Sequence, residues 1–237
     1  MNNITPPESV VLLGAGGLVH IMYWHLRAAW PNTKVAIIDE YIDKNEVDFG
    51  ETRIGIIKDW NLDEARLAAF GDRNVGFKHF LLAVTEPKYK KSFVEKALAK
   101  GLKPAPTLIH PSAILDGADI RIGDGGFVVA GAIIHPAARL EEYATVTTRA
   151  VVGHHCHIGK YATLNPGAIA LGFVTLGEGA QLGAGTTVRG YLSIAPWVTT
   201  GMGAAVAKDL DVPGGVYVGV PAKLRQPAQP GEARGDA

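Results

Sequence analysis

This 237-residue chain is poor in cysteine, in excess charge and in long apolar runs. Its single cysteine, Cys156, excludes an intramolecular disulfide. Basic and acidic residues number 23 each, so no global field draws the chain to nucleic acid or to an anionic bilayer. No apolar run approaches the roughly 20 residues of a membrane-spanning helix. Met1 to Val10 shows neither the basic start nor the apolar stretch of a signal peptide. The expectation is a soluble, cytoplasmic protein with no nucleic-acid and no membrane partner. Aromatic residues are only 8 %, so the core has to be built mainly from aliphatic and small side chains.

Those side chains follow a strict period. From Ile122 to Val206 every sixth residue fills one slot, and 13 of these 15 positions are Ile, Leu or Val. Two residues before each lies a smaller slot, held by Ala132, Ala138, Ala144, Ala150, Cys156, Ala162, Ala168, Ala180, Thr186 and Ala204, with Val174, Leu192 and Val198 as larger exceptions. A helix of 3.6 residues per turn cannot keep one face apolar at period six, and neither can a long strand of period two. Short strands separated by corners can. The pattern predicts a parallel β-helix in which three hexapeptides make one coil and equivalent residues of successive coils stack at the ordinary strand spacing. Glycines after the aliphatic slot, such as Gly153 and Gly177, are expected to sit at sharp corners with unusual φ. Leu108, Ile114 and Ile120 keep the period shifted by two residues, which places the start of the solenoid near Leu108 and a small insertion around Arg121.

Ahead of the solenoid the chain reads as α/β. Val10–Leu13 is a short apolar run ending in Gly14-Ala15-Gly16-Gly17, followed by helical spacing. Lys34–Asp39 supplies a second strand ending at Asp39 and Glu40, and His79–Thr85 a third, followed by a helix with Pro87 in its first turn. Residues between Tyr41 and Gly76 are polar and irregular, and Gly101–Pro106 reads as a linker. The domains are therefore expected at 1–103 and 104–225, with a disordered tail at 226–237. A glycine turn lets backbone N–H groups approach a pyrophosphate, and an acid at the end of the next strand accepts from a ribose hydroxyl. The full fingerprint wants glycine at position 19, where this chain has Val19, and a tight strand-to-helix turn with no ligand has the same residues.

Four of the eight histidines, His135, His154, His155 and His157, cluster in one part of the solenoid. His154 and His155 fall between two inward slots, so their side chains point outward. An imidazole on a rigid wall suits a general base, while a solvated surface histidine has the same spacing. Zinc is disfavoured because adjacent residues diverge and Cys156 occupies a core slot, so no metal is expected. Lys208, Lys223 and Arg225 put positive charge near the end of the solenoid, suited to a phosphorylated cofactor or to a solvated rim.

The Gly14-Ala15-Gly16-Gly17 turn, Asp39-Glu40, the run Leu108 to Ala113, the Gly153–Gly159 corner and Val218 to Lys223 together resemble the sialic acid and bacillosamine family of sugar acetyltransferases. The resemblance covers Val10 to Arg225. It implies a Rossmann-like N-terminal domain joined to a left-handed parallel β-helix, acetyl-CoA as co-substrate, a nucleotide-sugar acceptor, and a homotrimer with active sites between subunits. By position it implies His154 as catalytic base with His155 beside it, and Thr163, Gly172, Ala184 and Met202 at acetyl-CoA. Gly16, Gly17, Leu18, Asp39, Glu40 and Thr85 fall where that family holds its nucleotide-sugar. Two departures stand out. His155 replaces the family's usual Asp or Glu, and Leu18 replaces a histidine. Acetyl transfer to a non-sugar small molecule and a non-catalytic β-helix scaffold are the competing readings.

Overall fold

The computed structural model describes residues 5–63 and 76–226. Its N-terminal part contains β1 (Ser9–Leu13), α1 (Gly17–Ala29), β2 (Lys34–Ile38), β3 (Glu46–Asp48), β4 (Arg53–Ile57), β5 (His79–Leu82), α2 (Pro87–Ala99) and β6 (Lys103–Pro104). They form one sheet in the order β3-β4-β2-β1-β5-β6, parallel except for the β3–β4 hairpin. Alternation along β1 explains why helices cover both faces. Val10 and Leu12 pack with Val19, Met22 and Leu26 of α1, while Val11 and Leu13 pack with Phe93, Val94 and Ala97 of α2. Three of these strands and both helices are where the sequence places them. The hairpin is not, because β3 is three residues long with a single buried side chain, Val47. The expected linker is also partly a strand, since β6 pairs with β5 along the edge of the sheet. Of the tail expected from Gln226 onward, only Gln226 is described, and the rest lies outside the described residues.

The solenoid has three parallel faces. The first carries Leu108–Ile109, Phe127–Val128, Thr145–Val146, Thr163–Leu164, Gln181–Leu182 and Thr199–Thr200. The second runs from Ile114–Leu115 to Ala205–Val206, and the third from Arg121–Ile122 to Ser193–Ile194. Successive strands on a face pair at a spacing of three hexapeptides, as Thr145 with Thr163 and Val151 with Ile169. The aliphatic and small slots interlock as one buried core, with Cys156 1 % exposed among them.

Two expectations are corrected. On the first two faces the opening coil is one residue longer than the rest, pairing Ile109 with Val128 and Leu115 with Ile134. The irregularity is thus one residue, not two. Leu108 turns out of the prism into the N-terminal core, and Ile114 is exposed. The glycines after the aliphatic slot do not adopt positive φ. A Cβ on Gly153 would lie 2.7 Å from Gly172 N, and one on Gly177 2.6 Å from Pro196 N, so close approach of the next coil requires them. Positive φ falls two residues later, at Gly125, Gly131, Gly167 and Gly179 and at several non-glycine residues.

The N-terminal sheet is seated against the first face. Lys90, on the apolar side of α2, is fully buried. Its Nζ donates to Thr145 Oγ1 and Thr163 Oγ1, both at 2.8 Å, and to the carbonyls of Tyr143 and Tyr161. Burial pushes its pKa down to about 7 against the raising effect of Glu86. His25 makes a second tie: its Nδ1–H donates to Ile21 O and its Nε2 accepts from Ala130 N–H at 3.1 Å. That tautomer is neutral. Burial, with His110 at a ring separation of 4.3 Å, lowers the His25 pKa against the effect of the Ile21 bond.

Lys90→Met is expected to destabilise the chain by about 2 kcal/mol, because buried oxygens lose their donor; urea unfolding followed by circular dichroism measures it. His25 has a folded-state pKa below its unfolded value of about 6.5. Its contribution to stability is therefore present above about pH 6.5 and lost as pH falls below that value. The thermal midpoint should decline between about pH 7 and pH 5.5, and less steeply in His25→Gln.

Candidate active site

His154 and His155 stand at the corner between the second and third faces, and both are exposed. The next coil passes directly under the His154 ring: a Cβ on Gly172 would meet its Cε1 and its Nε2 at 2.5 Å. Gly172 N–H makes none of the coil-to-coil backbone bonds that its neighbours make, Leu171 N–H to Val188 O and Phe173 N–H to His154 O. A donor and an imidazole therefore lie side by side on one rigid corner.

His154 Nδ1 lies 3.2 Å from His155 Nδ1, with the two rings perpendicular at 86°. Carboxylates in this quarter belong to the other histidines. Glu141 Oε1 lies 2.7 Å from His157 Nε2, and its other oxygen accepts from Lys160 N–H, while Asp116 lies 3.4 Å from His135 Nδ1. Neither pair reaches the His154 corner in a hydrogen bond, so among the described residues the polar side chain that faces His154 is His155. Among the described residues no group of three or more His, Cys, Asp or Glu is placed to hold a metal ion.

The residues expected at acetyl-CoA separate. Gly172 shares the His154 corner. Ala184 and Met202 share a different corner, between the first and second faces, where Met202 is 84 % exposed. Thr163 is wholly buried under the N-terminal sheet and helices, its Oγ1 accepting from Lys90 Nζ and donating to Thr85 O at 3.0 Å. It anchors the domain on the coil that carries His154, half a coil further along the chain. Lys208, Lys223 and Arg225 are exposed near the end of the solenoid.

In the N-terminal domain the carboxyl ends of β1, β2 and β5 lie together. Gly14, with φ +110°, abuts Val84, whereas a Cβ on Gly16 or Gly17 would meet nothing within 4 Å. The turn thus leaves open space over its last two glycines and the exposed start of α1. Leu18 is half-buried against the α1 core. Asp39 stands just after β2, beside that turn. It is buried, its Oδ2 accepts from Ala15 N–H at 2.7 Å, and its Oδ1 accepts from Tyr41 and Ile42 N–H. Oδ2 thus ties down the glycine turn, while Oδ1 holds the chain just after β2. Glu40 pairs with Lys96. Burial works to raise its pKa, but the Lys96 hydrogen bond and charge and the Tyr41 hydroxyl hold it below the usual carboxylate range.

Sequence reasoning missed Lys90, Phe173 and Tyr191. The signal for Lys90 was a lysine on the apolar stripe of Phe93, Val94 and Ala97. For the aromatic pair it was their placement one and two coils beyond His155. A separate cleft of about 350 Å³, lined by Arg27, Lys34 and Arg53 among others, lies off the glycine turn and was not foreseen.

A hexapeptide-repeat parallel β-solenoid with a histidine raised on an outer corner is the architecture to be compared with known proteins. No family model matches the sequence, and no curated protein does. Solved structures do. The histidine-to-asparagine variant of perosamine N-acetyltransferase from Caulobacter crescentus, in complex with CoA and GDP-perosamine, shares 29 % identity at a TM-score of 0.79, over 92 % of this chain and 97 % of that one. The acetyltransferase domain of PglB from Neisseria gonorrhoeae matches at 26 % identity and TM-score 0.78, over 92 % of this chain and all of that one. WeeI from Acinetobacter baumannii shares the fold at 21 % identity and TM-score 0.77, over 91 % of this chain and 99 % of that one. The resemblance read from the sequence, to sugar acetyltransferases, thus leads to the same fold as perosamine N-acetyltransferase.

Gly172→Ala is expected to displace the His154 ring, a flexible side chain, rather than the backbone. Thermal unfolding should match wild type to within about 1 kcal/mol, while a crystal structure should show the imidazole moved from its present seat. A markedly destabilised variant would mean that the coil, not the ring, gives way.

Proposed function

We propose that this chain is an acetyl-CoA-dependent N-acetyltransferase acting on an amino group of a nucleotide-linked sugar. The observation that carries the reading is the imidazole of His154 lying over Gly172, one coil away, on a solenoid matching that of an N-acetyltransferase solved with CoA and GDP-perosamine. On this reading the solenoid is left-handed and the N-terminal sheet is Rossmann-like, supported by the parallel order β4-β2-β1-β5-β6 and the glycine turn after β1. The acceptor's nucleotide lies over Gly16 and Gly17, with Leu18, Glu40 and Thr85 at the margin of the same strand ends. Asp39 contributes by holding the turn rather than by touching ribose.

Chemistry follows from the corner. The amine attacks the thioester carbonyl, and His154 Nε2 removes its proton. Gly172 N–H faces the developing oxyanion. The tetrahedral adduct collapses by expelling the CoA thiolate, which takes up a proton, leaving the amide product. Holding both substrates on one wall supplies proximity, so no covalent acyl-enzyme is needed.

The assembly we propose is a homotrimer with sites between subunits. Within one chain the acceptor cradle belongs to a domain seated on the first face, whereas His154 stands at the opposite corner of the prism. Gly172 likewise sits on a different corner from Ala184 and Met202. A second copy laid alongside brings such separated pieces together, and a three-sided prism lends itself to closed three-fold packing.

Thiol release from acetyl-CoA, measured against UDP-, dTDP- and GDP-linked 3-amino and 4-amino sugars, tests the reading. One sugar should support turnover, and His154→Ala should lower kcat by about 10²–10⁴-fold. Silence across the panel with CoA binding intact would discard the sugar acceptor, and full activity in His154→Ala would discard the base.

A further inference from the structure

At the His154 corner, Ala137, His155, Phe173 and Tyr191 recur once per coil, all with left-handed backbone at φ between 59° and 65°. Residues other than Gly, Asn, Asp and His rarely adopt it. A second aromatic column, Tyr143, Tyr161 and Trp197, occupies the equivalent positions of the next corner. There Tyr143 and Tyr161 are buried beneath the N-terminal domain, where packing offsets the strain. Among the described residues no such cover lies over Phe173 and Tyr191, which are 39 % and 77 % exposed.

What these rings do touch is the histidine pair. Phe173 stacks on His155 at 4.7 Å and 14°, and meets His154 edge-on at 5.1 Å and 88°. Tyr191 stacks on the far side of Phe173 at 4.8 Å and 9°. An exposed imidazole otherwise turns broadly about χ2. We infer that Phe173, backed by Tyr191, is a positioning residue that locks His155, and through it the tautomer of His154, in place of an orienting carboxylate. This rests on the reading of His154 as base.

The proton count fixes the arrangement. Only one hydrogen lies between two Nδ1 atoms 3.2 Å apart. For Nε2 of His154 to be free to accept, that hydrogen belongs to His154 Nδ1 and is donated to His155 Nδ1, leaving His155 protonated on Nε2. If His155 swings away, His154 loses the acceptor that selects this tautomer. The stack on Phe173 prevents that swing.

Two readouts test the inference on the full chain. Phe173→Leu keeps much of the volume but removes the ring. It should lower kcat about tenfold, the scale of a lost aromatic stack, with KM for both substrates unchanged, and Phe173→Trp should restore it. His155→Asn, whose amide oxygen also accepts and whose backbone tolerates positive φ, should retain more activity than His155→Ala. Independently of turnover, ¹⁵N NMR of histidine-labelled protein should show His154 protonated on Nδ1 in wild type and a tautomer mixture in Phe173→Leu. If no acceptor is ever turned over, the proposed function fails while the NMR result still decides this inference. An unchanged tautomer in Phe173→Leu overturns it, as does wild-type kcat in that variant. Loss of activity explained by dissociation of the oligomer, read by sedimentation with the tautomer unchanged, overturns it too.

Discussion

The coil-to-coil approach of the solenoid governs the rest of the molecule. Neighbouring coils pair through parallel backbone hydrogen bonds such as Thr145 N–H to Ala162 O, in a register that sets Thr145 beside Thr163. Every residue therefore has a fixed neighbour one coil above and one below. At the corners the backbones come too close for a Cβ, which is why glycine follows the aliphatic slot at Gly153 and Gly177. The same closeness places the His154 ring on Gly172. No mobile loop is needed to bring the imidazole and the backbone donor together; stacking has already done so.

Fixed neighbours also account for how the two parts of the chain join. Lys90 reaches across from α2 to Thr145 and Thr163, which are one coil apart on the first face. An ammonium has three donors, and here hydroxyls and carbonyls of two successive coils surround it. Lysine is seldom fully buried, so each of these contacts matters to the fit between domain and solenoid. Because Thr163 lies on the coil of His154, the seat of the N-terminal domain is indexed to the corner that carries His154. The price is a single-chain geometry in which the glycine turn and His154 lie on opposite sides of the solenoid, which is the physical argument for the proposed site completed by another copy.

Sequence makes some of this legible and hides the rest for identifiable reasons. Period six is visible because each short strand has one inward aliphatic and one inward small residue, so the pattern needs no tertiary knowledge. The outward direction of His154 follows from the same count. The reason for the corner glycines is hidden, because an unusual φ and contact with the next coil leave the same signature in a sequence. Thr163 looks like a surface residue because its burial is created by Lys90, far earlier in the chain. Asp39 is legible as important but not in its role, since only the fold shows that three backbone N–H groups converge on its carboxylate. In the β3–β4 hairpin, β3 is three residues with a single apolar side chain, too short a pattern to register.

The substitution of histidine for a carboxylate beside His154 has its own electrostatic logic. A carboxylate both selects the tautomer and supplies a counter-charge to the imidazolium. A neutral imidazole performs only the first task. At an exposed corner water solvates the imidazolium, so the second task is less demanding than in a buried triad. Orientation is the harder part there, because solvent does nothing to hold a ring at a given angle. Aromatic residues at 173 and 191 meet that need: they add no charge, they tolerate water at their edges, and the coil-to-coil register stacks them on His155 without any further device. The histidine at 155 and the strained aromatic residues at 173 and 191 are, on this argument, parts of one solution.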